Sequence, residues 1–489
     1  MKTRRVAQGP RPGQGVADIM ALFTIEEVLE ITSARPLATV DARHARAGLE
    51  RISTDSREVQ DGDLFIALHG ERYDGHLFVE EALRKGAIGA IVQRSWSPTQ
   101  ENSLLLGVDD TLLAYQRLAA HHRSRFEIPV VAVTGSNGKT TTKEMVAAVL
   151  AERGRVLKTQ GNLNNRIGVP RTLLRLTEQD QAAVIEMGVD QVGQTARLCE
   201  IVRPTIGIIT NIGPDHLELF GSLEASAQAK AELLDHLLPE DAVVLNADDV
   251  YFDYLASRAR CRVVSFGLAE TAQIRATDVE TDPESGTTFR LQMPGRARHT
   301  TINLTAHGTH NVSNALAAAA VGHLLGMNGT AIGRGLAQFR PAAMRSEVMT
   351  AGNVTIINDC YNANPASMQA AIDLLGTLAH GRRTVAVLGD MLELGSTSPK
   401  LHRDVGEYLG RKGVARLIAV GELGRELAAG AKHAGLPEDR IDEVTDAAAA
   451  ARAMKTVIQA GDVVLIKASR RLRLEQVVEQ LRAMGESLA

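Results

Sequence analysis

One stretch, residues 130–142, restricts the fold of this chain more than any other. Its apolar start (130–133) predicts a buried strand, and residues 139–153 carry the spacing of apolar side chains that predicts a helix. A tight Gly-Ser-Asn-Gly loop (135–138) lies between them. In this arrangement loop N–H groups and the helix N-terminus can bind a phosphate, the Lys side chain adds a charge, and the Thr hydroxyl can hold Mg²⁺. We therefore predict a nucleotide-phosphate site in an α/β domain.

The loop is shorter than the common phosphate-loop pattern. The usual spacing is G-x-x-x-x-G-K-[ST], and Val133 stands where its first glycine is expected, so the match is to a shorter G-x-x-G-K-T form. The alternative is that the glycines only form a turn, but the strand and helix on either side favour phosphate binding. The predicted nucleotide-binding residues of this stretch are Gly135, Ser136, Asn137, Gly138, Lys139, Thr140 and Thr141.

Size and composition set limits on the class of protein. A chain of 489 residues predicts two to four domains, and 44% hydrophobic and 23% charged residues are typical of a globular protein in water. With 54 basic and 58 acidic residues the net charge is −4, so no global basic field for nucleic acid exists. No apolar run approaches the roughly 20 residues that span a membrane. Three widely spaced cysteines suit a reducing cytoplasm and predict neither a disulfide framework nor a zinc site.

The part before the phosphate loop divides into two. Residues 1–20 are basic and rich in Gly, Pro and Gln, and we predict a disordered extension there, with Met20 as an alternative start. Residues 21–127 predict a small α/β domain that opens with a capping box, Thr24 and Glu27. Its polar loop at 54–57 suits an anionic or uracil-bearing ligand, and a solvated turn is an equally good interpretation.

The middle segment, residues 128–340, places polar groups at the ends of predicted strands. An Asn-rich loop at 159–170 fits contacts to a polar substrate. Glu186 and His216 each follow a buried strand, where open α/β sheets place metal and ligand groups. We predict that both converge over the phosphate site, against the alternative that they are a capping acid and a surface histidine. Residues 262–305 predict a β-rich insert.

The last segment, residues 341–489, repeats strand and helix. Four predicted strands end in polar residues, among them Asp359 and Lys467, and this alternation predicts a Rossmann-like parallel domain. A G-x-G-x-x-G fingerprint is absent, so NAD is not predicted. Asp359 at a strand end could hold a ribose hydroxyl, or it could cap a turn or helix.

Taken together, these motifs resemble the Mur ligases, the ATP-dependent peptide ligases of peptidoglycan precursor synthesis. The resemblance covers residues 23–482 and includes Thr134-Gly-Ser-Asn-Gly-Lys-Thr-Thr, Glu186-Met-Gly, the His216 loop, the Lys230 helix, His310-Asn-Val-Ser-Asn314, Met344-Arg-Ser-Glu347 and Asn358-Asp359. Further motifs are most similar to the members that add D-alanyl-D-alanine; these include Gly161-Asn-Leu-Asn-Asn165, Asp359-Cys-Tyr-Asn-Ala-Asn364 and Gly389-Asp-Met-Leu-Glu-Leu-Gly395. The D-N-P-R run of the members that add diaminopimelate is absent.

The resemblance implies a role for each matching residue. It implies that Lys139 and Thr140 serve the phosphates and Mg²⁺, that Glu186 and His216 lie at the metal site, and that Lys230 is carbamylated to hold a second Mg²⁺. It further implies an adenine contact for Asn314, a phosphate contact for Arg345 and a ribose contact for Asp359. The implied substrate-binding residues are Thr54, Asp55, Ser56 and Arg57 in a UDP-binding domain, and Asn162, Asn165, Asn362 and Asn364. Two positions differ from the family pattern, because Cys360 stands where serine is commoner and Ala468 where glycine is usual.

The implied reaction is the ATP-dependent joining of D-alanyl-D-alanine to UDP-N-acetylmuramoyl-tripeptide through an acyl phosphate, in the cytoplasm, by a three-domain monomer. The implied cofactors are ATP and Mg²⁺. The rival hypotheses are a sibling ligase that adds one amino acid, a folylpolyglutamate synthetase-like enzyme, and an inactive relative that binds nucleotide-sugar peptides as a regulator.

Overall fold

The computed structural model describes residues 22–37, 48–70, 73–96, 104–295 and 299–485. The predicted extension at 1–20, with Met20, lies outside these residues. Two compact units are present, and the division between them falls after His122. In the described parts of the chain, no helix combines the length and apolar character needed to cross a membrane.

The first unit is a small α/β domain. The capping box is confirmed, since Glu27 N–H donates to Thr24 Oγ1 (3.2 Å) and Thr24 N–H donates to Glu27 Oε2 (2.7 Å). The strands are β1 (Phe23–Thr24), β2 (Arg35–Pro36), β3 (Gly48–Leu49), β4 (Ile52–Ser53), β5 (Leu64–Ile66), β6 (His69–Gly70), β7 (Tyr73–Asp74), β8 (Gly89–Gln93) and β9 (Leu104–Val108). The helices are α1 (Ile25–Thr32), α2 (Val79–Arg84, after a 3₁₀ turn at Gly75–Phe78) and α3 (Thr111–Ser124). Five strands form a sheet in the order β2-β9-β8-β5-β4, parallel except at β2.

The second unit contains two sheets, of which the first holds the phosphate loop. Its nine strands are β10 (Val130–Thr134), β11 (Arg155–Lys158), β12 (Asp180–Glu186), β13 (Ile206–Ile209), β14 (Ala242–Asn246), β15 (Arg262–Gly267), β16 (Ile274–Asp282), β17 (Gly286–Gln292) and β18 (Thr300–Leu304). Its helices are α4 (Lys139–Ala151), α5 (Gly168–Leu173), α6 (Gln194–Val202), α7 (Leu217–Phe220), α8 (Leu223–Asp235), α9 (Phe252–Arg258), α10 (Thr309–Leu324) and α11 (Gly329–Gln338).

The order of this sheet is β11-β12-β10-β13-β14-β15-β16-β17-β18. The strands from β11 to β16 are parallel, and β16, β17 and β18 pair antiparallel. The predicted β-rich insert is therefore a continuation of the same sheet, in which β15 is parallel to its neighbours and β16 to β18 pair antiparallel. All five residues of β10 are buried, as its apolar sequence predicts. The apolar face of α4 packs against α10 in one core that includes Val146, Val149 and Leu316.

The second sheet of this unit is the predicted Rossmann-like domain. Its strands are β19 (Glu347–Ala351), β20 (Val354–Asn358), β21 (Thr384–Gly389), β22 (Arg416–Val420), β23 (Ile441–Val444) and β24 (Val463–Lys467). Its helices are α12 (Pro365–Ala379), α13 (Ser398–Arg411), α14 (Gly424–His433), α15 (Ala447–Val457) and α16 (Glu475–Ala483), with 3₁₀ turns at Gly395–Thr397, Glu438–Arg440 and Arg470–Leu472. Six strands are present where four were predicted.

The strand order is β19-β20-β24-β21-β22-β23, and only β19 is antiparallel. The two strands that the sequence did not predict lie at the edges. Both are largely half-exposed and carry acidic residues, so they lack the apolar run of a central strand. The fold class is the predicted one, α/β with mostly parallel sheets, and the carboxyl ends of β20 and β24 lie side by side.

Candidate active site

The phosphate loop is shaped by two glycines that have no room for a side chain. Gly135 and Gly138 have φ angles of 137° and 79°. A Cβ at Gly138 would lie 2.3 Å from Asn314 Oδ1, and one at Gly135 would lie 2.0 Å from Thr210 Oγ1. Lys139, the first residue of α4, donates from Nζ to the carbonyl oxygens of Gly135 (2.6 Å) and Ser136 (3.2 Å). Two backbone carbonyls of the loop thus fix the side chain of Lys139. Thr141, two residues later in α4, is half-buried.

Side chains from the neighbouring strand ends hold the rest of the loop. Asn137 N–H donates to Asn211 Oδ1 (2.9 Å), and its carbonyl accepts from Thr210 Oγ1 (2.6 Å). Ser136 Oγ donates to Asp215 Oδ1 (2.7 Å) and accepts from Gly213 N–H (2.8 Å). The Ser136 side chain therefore links the phosphate loop to the segment that carries Gly213 and Asp215.

Glu186, at the end of β12, lies against the first turn of α4. Its Oε1 accepts from Thr140 Oγ1 (3.1 Å) and from Asn164 Nδ2 (2.8 Å). Its Oε2 is buried and has no hydrogen-bond partner. The structure thus brings together two predicted residues, Thr140 and Glu186, and adds Asn164 from the Asn-rich loop.

Lys143 completes this cluster, and the sequence analysis did not identify it. Its side chain is fully buried, and its Nζ lies 3.6 Å from Glu186 Oε2 and 3.1 Å from Glu144 Oε1. It also approaches the carbonyl of Gly161 in the Asn-rich loop (3.4 Å). The available signal was its position one turn after Thr140, on the helix face that Thr140 shares.

A second cluster surrounds Asp215, in the loop before His216. Its Oδ1 accepts from Ser136, from Ser226 Oγ (3.2 Å) and from Lys230 Nζ (3.1 Å). Lys230 also donates to Ser226 Oγ (2.6 Å) and lies 4.9 Å from the centre of the Phe220 ring. Lys230 was predicted, and Asp215 was not singled out.

Burial and charge shift both ionisable groups of this pair. Burial lowers the pKa of Lys230 to about 8; the charge of Asp215 opposes the shift, and that of Lys139 adds to it. Burial acts to raise the pKa of Asp215, but the charges of Lys230 and Lys139 outweigh it and hold this pKa below its usual range. The second carboxylate oxygen of Asp215 is buried without a hydrogen-bond partner.

His216 contacts the C-terminal sheet domain. Its Nδ1 lies 2.5 Å from Glu393 Oε2, and the Glu393 carbonyl accepts from Glu218 N–H (3.0 Å). His216 and Glu393 both have left-handed backbone conformations, with φ of 49° and 66°. His216 and Glu186 were predicted to converge, but the structure, which describes both residues, shows no contact between them. His216 instead contacts Glu393 and so links the two sheet domains.

The arrangement around the loop fits a magnesium ion. Hard divalent cations prefer oxygen ligands, and each of the two clusters holds one buried carboxylate oxygen without a hydrogen-bond partner, on Glu186 and on Asp215. The Thr140 hydroxyl adds a third oxygen beside Glu186. A buried carboxylate oxygen without a hydrogen-bond partner is costly. A magnesium ion would satisfy such an oxygen on Asp215, and on Glu186 it would add to the charge of Lys143, 3.6 Å away.

Asn314 and Arg345 are two of the residues implied for ATP. Asn314, in α10, is buried, accepts from Thr142 Oγ1 (3.1 Å) and donates to Asn311 Oδ1 (3.2 Å). The guanidinium of Arg345 stacks 3.9 Å above the Tyr361 ring.

Asp359 follows β20 and is held from two sides. Its Oδ1 accepts from Ser346 N–H (3.0 Å), and its Oδ2 accepts from Lys467 Nζ (2.6 Å). Lys467, the last residue of β24, also donates to the carbonyl of Asn362 (2.8 Å). The side chains of Lys467 and Asp359 are 2% and 14% exposed, so this ion pair is shielded from water.

The asparagines implied for the substrate differ in their surroundings. Asn162 and Asn362 are exposed. Asn165 Oδ1 accepts from the N–H groups of Ile167 (3.0 Å) and Gly168 (2.9 Å), so this side chain shapes the entry to α5. Asn364 caps α12 by accepting from Ser367 N–H (2.9 Å) and donates to Asn137 Oδ1 (2.8 Å). The structure therefore places Asn364 against the phosphate loop.

The loop at 54–57 belongs to the first unit. Arg57 makes a two-pronged ion pair with Asp55, with Nε–Oδ1 at 2.9 Å and Nη2–Oδ2 at 2.6 Å. This pair raises the pKa of the exposed Arg57. Thr54 is half-buried, and Ser56 is buried and accepts at its carbonyl from Lys85 Nζ (3.0 Å).

Comparisons with known proteins identify the same family along most of the chain. Residues 133–322 match the family model of the Mur ligase middle domain, residues 344–470 that of the Mur ligase glutamate ligase domain, and residues 49–123 that of the Mur ligase family catalytic domain. The chain is 37% identical over 459 residues to the UDP-N-acetylmuramoyl-tripeptide–D-alanyl-D-alanine ligase of Bacillus subtilis, which covers 94% of this chain and 97% of that protein.

Solved structures agree with the sequence matches. A crystal structure of MurF from Acinetobacter baumannii superposes with a TM-score of 0.86 at 33% identity, covering 94% of this chain and 99% of that one. MurF ligase from Thermotoga maritima in complex with ADP gives a TM-score of 0.79 at 30% identity, covering 90% and 98%. On these matches and on the geometry around the phosphate loop, the chain belongs to the Mur ligase family.

Proposed function

We propose that this chain joins D-alanyl-D-alanine to UDP-N-acetylmuramoyl-tripeptide, with ATP converted to ADP and phosphate. The observation that carries the proposal is the cluster of Lys139, Thr140, Glu186, Asp215 and Lys230 around one phosphate loop. It occurs in a chain that matches ligases of this name over nearly its whole length.

The reaction requires activation, because a carboxylate is a poor electrophile and has no good leaving group. Transfer of the terminal phosphoryl group of ATP to the tripeptide carboxylate gives an acyl phosphate, and this step brings anions together. Lys139 and the N–H groups of the loop neutralise that charge. Because Lys139 Nζ binds only backbone carbonyls of its own loop, it can transfer to a phosphate without breaking an ion pair.

The residues proposed to hold magnesium are Thr140, Glu186, His216 and Lys230 as a carbamate. The oxygen of Asp215 without a hydrogen-bond partner belongs to the cluster that contains Lys230. Bound there, the ion supplies further charge neutralisation for phosphoryl transfer. Lys230 suits carbamate formation. Because its pKa is lowered, a fraction of the protein molecules carries Lys230 as the neutral amine near neutral pH.

The nucleoside would lie between the two sheet domains of the second unit. Asn314 would contact adenine, Arg345 a phosphate and Asp359 the ribose. Thr54, Asp55, Ser56 and Arg57 are proposed for the UDP part of the peptide substrate. Asn162, Asn165, Asn362 and Asn364 are proposed for the polar groups of the peptide substrates, with Asn364 acting beside the phosphate loop.

The amine of D-alanyl-D-alanine then attacks the acyl phosphate, and phosphate leaves from a tetrahedral intermediate. Exclusion of water protects the acyl phosphate until the amine arrives. Contacts between the two sheet domains, such as that between His216 and Glu393, fit such a closed arrangement. We place the reaction in the cytoplasm and expect the enzyme to act as a monomer.

The deciding experiment measures phosphate release from ATP with UDP-N-acetylmuramoyl-tripeptide and a panel of amine substrates. We expect turnover with D-alanyl-D-alanine and none with D-glutamate, L-lysine or diaminopimelate. Turnover with a single amino acid but not with the dipeptide would replace our proposal by the sibling-ligase hypothesis. Turnover with a folate and glutamate would favour the folylpolyglutamate synthetase-like alternative.

A matched control separates catalysis from binding. Lys139→Met should abolish phosphate release, because it removes the only cation of the loop itself. Binding of the peptide substrate, measured by calorimetry, should persist in this variant. If the unaltered protein binds the nucleotide-sugar peptide but never releases phosphate, the chain is an inactive binding protein and the proposal fails.

A further inference from the structure

Lys467 is buried and contacts the loop that carries Asp359. Its Nζ donates to Asp359 Oδ2 (2.6 Å) and to the carbonyl of Asn362 (2.8 Å), and its side chain is 2% exposed. One ammonium group therefore holds both a carboxylate and the backbone three residues further on. A buried lysine is rare unless it is paired, and here its partner is the acid proposed for the ribose.

The position of Lys467 follows from the strand order of the sheet. Strands β20 and β24 are parallel neighbours, and Asp359 N–H donates to the carbonyl of Ile466 (2.9 Å). Lys467 is the next residue, so its side chain begins beside Asp359 and needs no rearrangement to reach it. The contact thus follows from the register of two paired strands, and sites built on strands are held more precisely than sites on loops.

The second oxygen of Asp359 is fixed as well. Its Oδ1 accepts from Ser346 N–H (3.0 Å), and Ser346 Oγ lies 3.3 Å from Nε2 of His310, in the first turn of α10. Both oxygens are therefore held, one by the segment that joins the sheet domains and one by Lys467. A carboxylate oxygen has two lone pairs, so each oxygen can still accept a hydrogen bond from a ligand hydroxyl.

We propose that Lys467 is a positioning residue for ribose recognition, which fixes the Asp359 carboxylate in the orientation that accepts the ribose hydroxyls of ATP. The inference rests on the proposed function, since it takes Asp359 as the ribose contact. Lys467 itself does not touch the nucleotide. Its contribution is to hold the carboxylate in one orientation, so that little orientational freedom is lost when the ligand binds.

The test compares ATP with dideoxy-ATP, which lacks both ribose hydroxyls, by calorimetry on the full chain without the peptide substrate. The unaltered protein should bind ATP roughly tenfold or more tightly than dideoxy-ATP, as expected for hydrogen bonds to a carboxylate. Lys467→Met should weaken ATP binding and bring this ratio close to one. Lys467→Gln keeps a donor and should give an intermediate ratio; it decides alone if Lys467→Met does not fold.

Arg383→Met is the matched control. Arg383 pairs with the buried Asp462 (Nη1–Oδ2 3.2 Å), which directly precedes β24, at the strand end opposite Lys467. This variant also removes a cation from a buried aspartate of the same domain, but away from the ribose site. Its ATP to dideoxy-ATP ratio should equal that of the unaltered protein.

The outcomes are distinguishable. A Lys467→Met protein that keeps the full preference for ATP overturns the inference and leaves the proposed function intact. Equal binding of both nucleotides by the unaltered protein overturns the inference together with the ribose contact of Asp359. If the unaltered protein binds neither nucleotide, the proposed function itself fails.

Discussion

The side-chain amide of Asn364 donates a hydrogen bond of 2.8 Å to the side-chain oxygen of Asn137, and so joins the start of helix α12 to the phosphate loop. The same side chain caps α12 through its oxygen, since it accepts from Ser367 N–H. One residue thus has two separable tasks, one for stability of the helix and one for contact between the sheet domains.

Asn364→Ser should separate these tasks. Serine is as good an N-cap as asparagine but is too short to reach Asn137, so thermal stability should stay near that of the unaltered protein. Loss of the bridge should weaken binding of an ATP analogue by roughly threefold to tenfold, the worth of one hydrogen bond. Asn364→Ala should show the same loss of affinity and an additional destabilisation of about 1 kcal/mol. Equal affinity in all three proteins, measured by calorimetry, would show that the bridge has no role in binding.

Removing Lys143 should leave Glu186 as a buried charge without its cation. We expect Lys143→Met to lower the free energy of unfolding by about 3–5 kcal/mol, the cost of breaking a buried pair on one side. Glu144 retains its contact with Lys158, so the loss falls mainly on Glu186. In the double variant Lys143→Met/Glu186→Gln the unpaired charge is gone, and a part of the stability should return in urea unfolding. Simple additivity of the two single changes would argue against the pairing.

Carbamate formation at Lys230 should depend on pH in a defined direction. Only the neutral amine reacts with CO₂, and burial lowers the pKa of Lys230 to about 8. Carbamate formation also releases a proton, so the diagnostic quantity is the initial rate. At a fixed concentration of dissolved CO₂, the initial rate of labelled CO₂ incorporation should rise with pH and level off above about 8. Lys230→Arg should incorporate no label at this site and should lose turnover. An initial rate of label incorporation that still climbs steeply towards pH 10 would mean that the amine keeps the pKa of a solvated lysine.

Glu393→Gln tests the contact with His216. The two side chains are 31% and 55% exposed, so the pair should contribute at most about 1 kcal/mol to stability, and thermal unfolding should change little. If Glu393 orients His216 for the metal site, kcat should fall by about tenfold, as for other partners of metal-binding histidines. Glu438→Gln, which removes a carboxylate from an exposed pair with Lys432, is the control and should keep full turnover. An unchanged kcat in Glu393→Gln would assign the contact to packing alone.

The parts of the site that lie close together in sequence were predictable. The strand, turn and helix of residues 130–153 follow from local periodicity and from two glycines, and Glu186 follows from its position at a strand end. The resemblance to the Mur ligases added Lys230, Asn314 and Asp359, whose roles remain predictions.

The burial and pairing of the lysines could not be predicted, because the sequence alone does not distinguish a solvated lysine from a buried, paired one. The partners Lys467 and Asp359 are 108 residues apart, and only the strand order β20-β24-β21 makes them neighbours. Lys143 follows three threonines and precedes a glutamate, which is typical of an exposed helix face, yet it is fully buried. Strands β19 and β23 were missed because their half-exposed residues lack an apolar run.

The close packing around Gly138 bears on resistance to inhibitors. Any side chain at this position would collide with Asn314, and one at Gly135 with Thr210. A substitution at either position would therefore disrupt the phosphate loop itself, so a variant with weaker inhibitor binding would also lose activity. An inhibitor that draws its affinity from the backbone N–H groups of this loop would meet a surface that the organism cannot readily change by mutation.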